Sequence, residues 1–337
     1  MTVLRRLVVR GPAEQDDLPS MGAATISEDD AREDALARIQ PGLRELFRTR
    51  RPVIVAPTPG AGLLEAVARS GITDRALAIV GGRGGERFAA VAEACGKEVI
   101  RAHVPEGAAL EARHLAIFLD GPAVDAVTLV HAEPSSGALA PLEELAAVVR
   151  SRTGVMLLVD ASHSLGAEPL ETDGWGIDAV VAGGDGPVGL PAGLAVAAVS
   201  ERLVARARGA TARGWALDLV RLDEASGSSV PSEPPPDVLV EALARRLERI
   251  AGMGGTPAAW EHHAAVRAAV DRWLEGNPGW SCPAREGRRG AALTVLERCR
   301  DAGSERTEIR LAGFPAAPDV IATLDTLART SEPAPAV

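Results

Sequence analysis

The sequence predicts an α/β chain: a large unit on a mostly parallel central sheet, followed by a small α+β unit. Short apolar runs at 76–80, 126–130, 156–159 and 179–182 alternate with segments of helical periodicity, as strands buried on both faces do when crossover helices join them. Several runs end in turns rich in Gly or Asp, namely PTPGAG, GGRGGERF, VDASHS and GGDGP. In an open α/β sheet ligands bind at the carboxyl ends of the strands, so Asp160, His163 and Asp185 should meet in one crevice. Finally, the proline-rich passage SGSSVPSEPPPD separates this pattern from amphipathic helices and a few strands.

Taken in order, residues 29–48 carry helical spacing interrupted only at Pro41-Gly42, and 53–56 form a strand. PTPGAG opens a helix over 63–69; its backbone N–H groups and positive dipole end suit a phosphate, and equally it is a plain strand-to-helix turn. The strand 76–80 leads to a helix ending at Ala94, and Lys97 lies on a surface turn before the next strand. After 126–130, Pro141 starts a helix with Glu143 and Glu144 in its first turn. Asp160, read alone, caps a turn as readily as it does chemistry, and His163 reads as a hydrogen-bonded packing residue. Beyond Ser200, ERLVARARG is a helix and WALDLVRL a short strand; 236–250 is a helix with Leu239, Leu243, Leu247 and Ile250 on one face. GGTPAAWEHHAAVRAAVDRWLEG is another helix, LTVLERC and TEIRLAGF read as strands, and 317–330 is the final helix. The expected units are 15–235 and 236–330, with residues 1–14 packing on the second and 331–337 a frayed tail.

Composition narrows the function. The 337 residues are 46% hydrophobic, enough for two cores. A net charge of -10, with four Phe, five Trp and no Tyr, argues against nucleic acid and anionic membrane as partners. No apolar run reaches the ~18 residues of a membrane span, and MTVLRRLVVRGP is too short for a leader, so the cytoplasm is the expected location. Cys95, Cys282 and Cys299 form no metal or redox motif, and the adjacent His262 and His263 diverge on a helix, so no metal is expected. Among 36 basic residues only Lys97 is a lysine. Arginine replaces lysine as a charge but cannot form an imine.

The wording VDASHSLGAEPL…D.WGID.VV.GG resembles the fold-type I, pyridoxal-phosphate-dependent enzymes of class V, aminotransferases of the serine–pyruvate and alanine–glyoxylate type. GGRGGERF is similar to that family's N-G-x-F-G-x-R-W, HAEPSSG to its H-N-E-T-S-T-G, and TEIRLAGF to its F-R-I-G. The resemblance implies the PLP-transferase fold type I, with the small α+β C-terminal domain shortened relative to the family. It also implies relic roles: Asp160 on the pyridinium nitrogen, His163 near the 3′-oxygen, Gly60 and Ser135 at cofactor contacts, and Arg310 on the substrate α-carboxylate.

Against these stand Pro59, Ala61, Gly84, Pro134, Gly184 and Gly186 at cofactor positions, with Gly186 where the family carries its Schiff-base lysine. Since hydrogen bonds to charged groups are worth roughly 1.5–3 kcal/mol each, the expectation is a chain that has lost pyridoxal phosphate and transaminase chemistry and takes no cofactor. It would act as a non-catalytic partner or small-molecule-binding subunit. The alternative is an enzyme using non-covalent pyridoxal or pyridoxamine phosphate with His163 as general base, or cofactor-free acid–base chemistry by His163 and Asp185. The resemblance further implies a homodimer, or a heterodimer with a related subunit. Loss of bulk at Gly84, Gly184 and Gly186 should either leave the crevice open or let Arg83 swing in to pair with Asp160; the second is expected.

Overall fold

A computed structural model describes residues 3–10, 29–184, 186–227, 235–300, 303–312 and 314–330. β1 (Val3–Arg10) and α1 (Asp29–Phe47) lead into β2 (Ile54–Ala56) and α2 (Gly60–Gly71). Alternation follows through β3 (Arg75–Val80), α3 (Arg83–Ala94), β4 (Glu98–His103), α4 (Ala112–Leu119), β5 (Ala126–Val130) and α5 (Leu142–Arg150). Then come β6 (Met156–Asp160), α6 (Thr172–Trp175), β7 (Ala179–Gly183), β8 (Ala195–Val199), α7 (Glu201–Arg208) and α8 (Leu219–Ser226). The chain continues with α9 (Asp237–Gly252), α10 (Gly255–Gly276), β9 (Leu293–Arg300), β10 (Gly303–Ala312) and α11 (Ala317–Thr330).

Seven strands make the large sheet in the order β2-β8-β7-β6-β5-β3-β4. β4, β3, β5, β6 and β7 run parallel, and β8 is antiparallel to both its neighbours. The α/β architecture with a smaller C-terminal part is therefore as expected. After β4 the chain returns to the far side of β3, so the strand order reverses between β3 and β5, and this is where such sheets bind ligands.

Alternation along each strand sorts side chains onto two helix layers. Leu157 and Val159 of β6 join Leu43, Phe47, Leu145 and Leu243 of α1, α5 and α9. Met156 and Leu158 join Leu63, Val67, Phe88 and Leu203 of α2, α3 and α7 on the other face. Period two continues this second row to Asp160, which therefore points toward the α2 and α3 layer.

Two local expectations change. α1 runs unbroken through Pro41, because its stripe of Ile39, Leu43, Leu46 and Phe47 is buried and Gly42 lets α9 approach. A β-carbon at Gly42 would stand 3.0 Å from Leu247 Cβ. WALDLVRL ends in α8 rather than a strand, since the Asp218 carboxylate accepts the Val220 N–H as an N-cap.

In the small sheet, ordered β1-β10-β9, β1 lies parallel to β10 with Arg6 beside Glu308. Ile309 and Leu311 face a core with Val266, Trp273 and Leu324 of α10 and α11. Arg306, Glu308 and Arg310 take the opposite face; Arg306 donates to Glu106, in the loop after β4. Among the described residues no helix is long and apolar enough to cross a membrane.

Candidate active site

Four strand ends supply the crevice. After β2, Pro59 sets the extended turn that starts α2, leaving Gly60 and Ala61 N–H without intrahelical acceptors. A β-carbon on Gly60 would lie 3.4 Å from Gly183 Cα and 3.6 Å from Ser162 Oγ, so the α2 start, the β7 end and the β6 turn converge. Ser162 Oγ also accepts the Gly183 N–H at 3.3 Å.

At the end of β6, Asp160 is 3% exposed. One of its oxygens accepts the Ser162 N–H at 3.0 Å and the other accepts from Arg87 Nη2 at 2.7 Å. The expected Arg83 partner is thus replaced by Arg87. The two arginines are one α3 turn apart, about 6 Å along the axis, and only Arg87 lies at the depth of the β6 end. Arg83 instead donates to Glu308 at 2.8 Å. His163 is half-buried, and its desolvation pushes its pKa down to about 4, with Arg310 adding to the effect and Asp160 and Glu308 opposing it. Its ring is therefore neutral.

The β3–β5 switch point is filled differently from what Gly84 suggests. Glu133, beyond β5, accepts from the N–H groups of Gly84 at 2.9 Å and Gly85 at 3.1 Å, neutralising the start of α3. Ser135 donates its hydroxyl to the same carboxylate at 2.7 Å. A β-carbon on Gly84 would come within 2.8 Å of Pro134 Cδ, so Pro134 takes the room that a ring at position 84 would need. Ser135 belongs to this cap.

Arg310 bonds Glu308 through Nε at 2.5 Å, and Glu308 also receives Arg6 at 3.4 Å. Burial pushes Glu308 upward, but Arg310 and Arg83 outweigh it and hold the carboxyl below its ordinary range. Sequence reasoning missed Arg87 as the partner of Asp160 and Glu308 altogether. Its signal was the Glu308–Arg310 spacing, which puts both on one face of a strand.

Gly184 has φ +80 and open space around its α-carbon, whereas a β-carbon on Gly186 would stand 2.0 Å from Ser162 O. Lys97 lies at the amino end of β4, on the opposite edge of the sheet, with Nζ donating to Thr73 O at 3.1 Å. Asp185 lies outside the described residues, as do 228–234 of the proline-rich passage and 331–337. No metal-type cluster of His, Cys, Asp and Glu occurs among the described residues.

Known proteins share both this sequence pattern and this fold. The family model for aminotransferase class-V matches residues 87–296, more than half of the chain. The soluble hydrogenase small subunit of Synechococcus sp. (strain PCC 6716) is 29% identical over 70% of this chain. The match spans 63% of that subunit's own length. The fold is that of alanine–glyoxylate aminotransferase from Nostoc sp., with a TM-score of 0.85, 24% identity, and 98% of this chain and 97% of that one covered. Aspartate aminotransferase from Thermus thermophilus superposes with a TM-score of 0.77 at 25% identity, over 88% of this chain and 83% of its own.

These likenesses overturn the expectation of a non-catalytic chain that takes no cofactor. That expectation rested on the side-chain donors and the ring missing at Pro59, Ala61, Gly84, Pro134, Gly184 and Gly186. It gave too little weight to donors that do not depend on side-chain identity, the first amides of α2 above all, and to Asp160 and His163 still standing at the strand ends.

Proposed function

Because this chain belongs to the aminotransferase class-V family, we propose that it is an enzyme holding pyridoxal or pyridoxamine phosphate without a covalent link, with His163 as its acid–base group. One observation carries the reading. The first amides of α2, the Asp160 carboxylate and the neutral His163 ring gather at the carboxyl ends of β2 and β6.

The residues fit such a group at its polar ends. Gly60 and Ala61 N–H, at the positive end of a helix dipole, suit a phosphate. Asp160 suits a protonated ring nitrogen once Arg87, half exposed, turns away from it. Covalent attachment does not fit, because position 186 has no room for a side chain and Lys97 is on the wrong edge of the sheet. Bound, the group supplies an amino or carbonyl function and an electron sink for charge developing at a substrate α-carbon.

The chain's own residues then have distinct tasks. His163, its pKa lowered by desolvation, can accept a proton and return it. Asp160, whose oxygens accept from Ser162 N–H and an arginine, can hold a cationic partner in that arginine's place. Arg310, on the neighbouring strand face, is the candidate for a substrate carboxylate. A two-fold dimer belongs to the same proposal; sedimentation as a monomer at micromolar concentration would remove that part of it.

The test is a binding titration of the purified chain with pyridoxamine 5′-phosphate, followed by the absorbance and fluorescence of the ligand. Saturable binding is expected, weakened at least about tenfold in Asp160→Asn, the equivalent of roughly 1.4 kcal/mol. Borohydride should trap no pyridoxyl group from added pyridoxal phosphate other than non-specifically on Lys97 or the α-amine. No binding at millimolar ligand, or a specific reducible imine, would refute the reading.

A further inference from the structure

Resting on the reading of this crevice as the reaction site, the geometry points to a substrate with two anionic groups, a small dicarboxylic amino or keto acid, held by Arg83, Arg87 and Arg310. Three guanidiniums share the single carboxylate of Glu308: Arg83 at 2.8 Å, Arg6 at 3.4 Å and Arg310 at 2.5 Å. Glu308 is fully buried, while the Arg83, Arg6 and Arg310 side chains are 42%, 56% and 21% exposed. One carboxylate offsets one of the three charges.

The neighbouring acids are otherwise engaged. Asp160 is paired with Arg87, and Glu133 is held by the α3 amides and Ser135. Glu86 bonds Arg101 and Glu106 bonds Arg306. Among the described residues, the wall beside His163 therefore keeps two positive charges in excess. Like charges gathered at a half-buried wall repel, and an arriving anion relieves that repulsion.

The donors are also unspent. A guanidinium carries five N–H groups; Arg83 uses one nitrogen on Glu308, and Arg87 uses one on Asp160. Both stand on one face of α3, a single turn apart, with about half of each side chain in solvent. A monocarboxylate answers Arg310 alone. A second carboxylate meets the α3 pair, and Glu308 fixes the guanidiniums while competing with the substrate for them.

Calorimetric titration of the purified chain with succinate and with propionate, at low ionic strength, tests this. Succinate is expected to bind at least about tenfold more tightly, as one added charge-assisted contact requires. Arg83→Gln should weaken succinate about tenfold and propionate little, and Glu308→Gln should tighten succinate by removing the internal competitor. Opposite signs in the two variants cannot come from a general loss of folding. Equal affinity for the two acids, or equal weakening of both by Arg83→Gln, overturns the inference. A succinate preference in a chain that binds no pyridoxamine phosphate would uphold it while the cofactor reading fails; cofactor binding without the preference would do the reverse.

Discussion

Single atoms decide what the crevice tolerates. A methyl group at Gly186 would run into the Ser162 carbonyl, so Gly186→Ala should cost on the order of 1–3 kcal/mol, as overpacking against a fixed backbone does. Gly184 is hindered by conformation alone, since its φ of +80 disfavours a side chain while the space is open. Gly184→Ala should therefore cost about 1–2 kcal/mol and leave binding at the crevice intact. Urea denaturation of the two variants checks both figures. A change of order, with Gly184→Ala the more disruptive, would mean that the β6 turn yields more easily than its contacts with β7 suggest.

For elements, the useful unit is the strand end together with the helix it feeds. α3 brings Gly84 and Gly85 against β3 and the Glu133 loop, and it presents Arg83 and Arg87 to different carboxylates one turn apart. Phe88, 1% exposed, anchors this helix in the core beside Leu63, Leu64 and Val67. Phe88→Ala should destabilise the fold by about 3–5 kcal/mol. It should also loosen the Arg87–Asp160 pair, which thermal melts and ligand titration of one sample can report together. β3, β5, β6 and β7 were readable in the sequence because buried parallel strands are continuous apolar runs. α8 was not, because an Asp218 cap outweighs a strand-like composition only when the next residues are free to coil.

Across the whole molecule, buried titratable groups set opposing responses to pH. Burial lowers the pKa of His131 to about 4, His163 to about 4 and His263 to about 3, against about 6.5 for an unfolded histidine. Between these values the unfolded chain binds protons that the native chain refuses. The histidine contribution is thus fully present above about pH 6.5 and is lost as pH falls toward 4. Burial raises Glu168 to about 7, opposed by the Ala291 N–H and Arg267. Its neutral form is bound in the native state, so that contribution is full below about pH 4.5 and is lost as pH rises through 7. Over this shared window three histidines gain what one carboxyl loses, so melting temperature should rise from about pH 4 to about pH 7 and then level, and Glu168→Gln should steepen that rise. Melts at three pH values across this range check it; an unchanged slope in the variant would exclude Glu168 as a contributor.

The sequence alone determined the layered α/β plan, the crevice at the strand ends, and the candidacy of Asp160, His163 and Arg310. The plan, the crevice, Asp160 and His163 follow from local periodicity or from a residue type standing where a strand stops, and Arg310 from the likeness of TEIRLAGF to the family motif. The pairing of charges was decided only by the tertiary structure. Arg87 reaches Asp160 because of its depth along α3, and Arg83 turns to Glu308 because β10 brings that carboxylate beside the start of α3. Which charges meet depends on contacts between residues 73 and 225 positions apart, and no local pattern encodes such a distance. The same holds for the refusal of a side chain at Gly186, which depends on how closely the β6 and β7 turns approach.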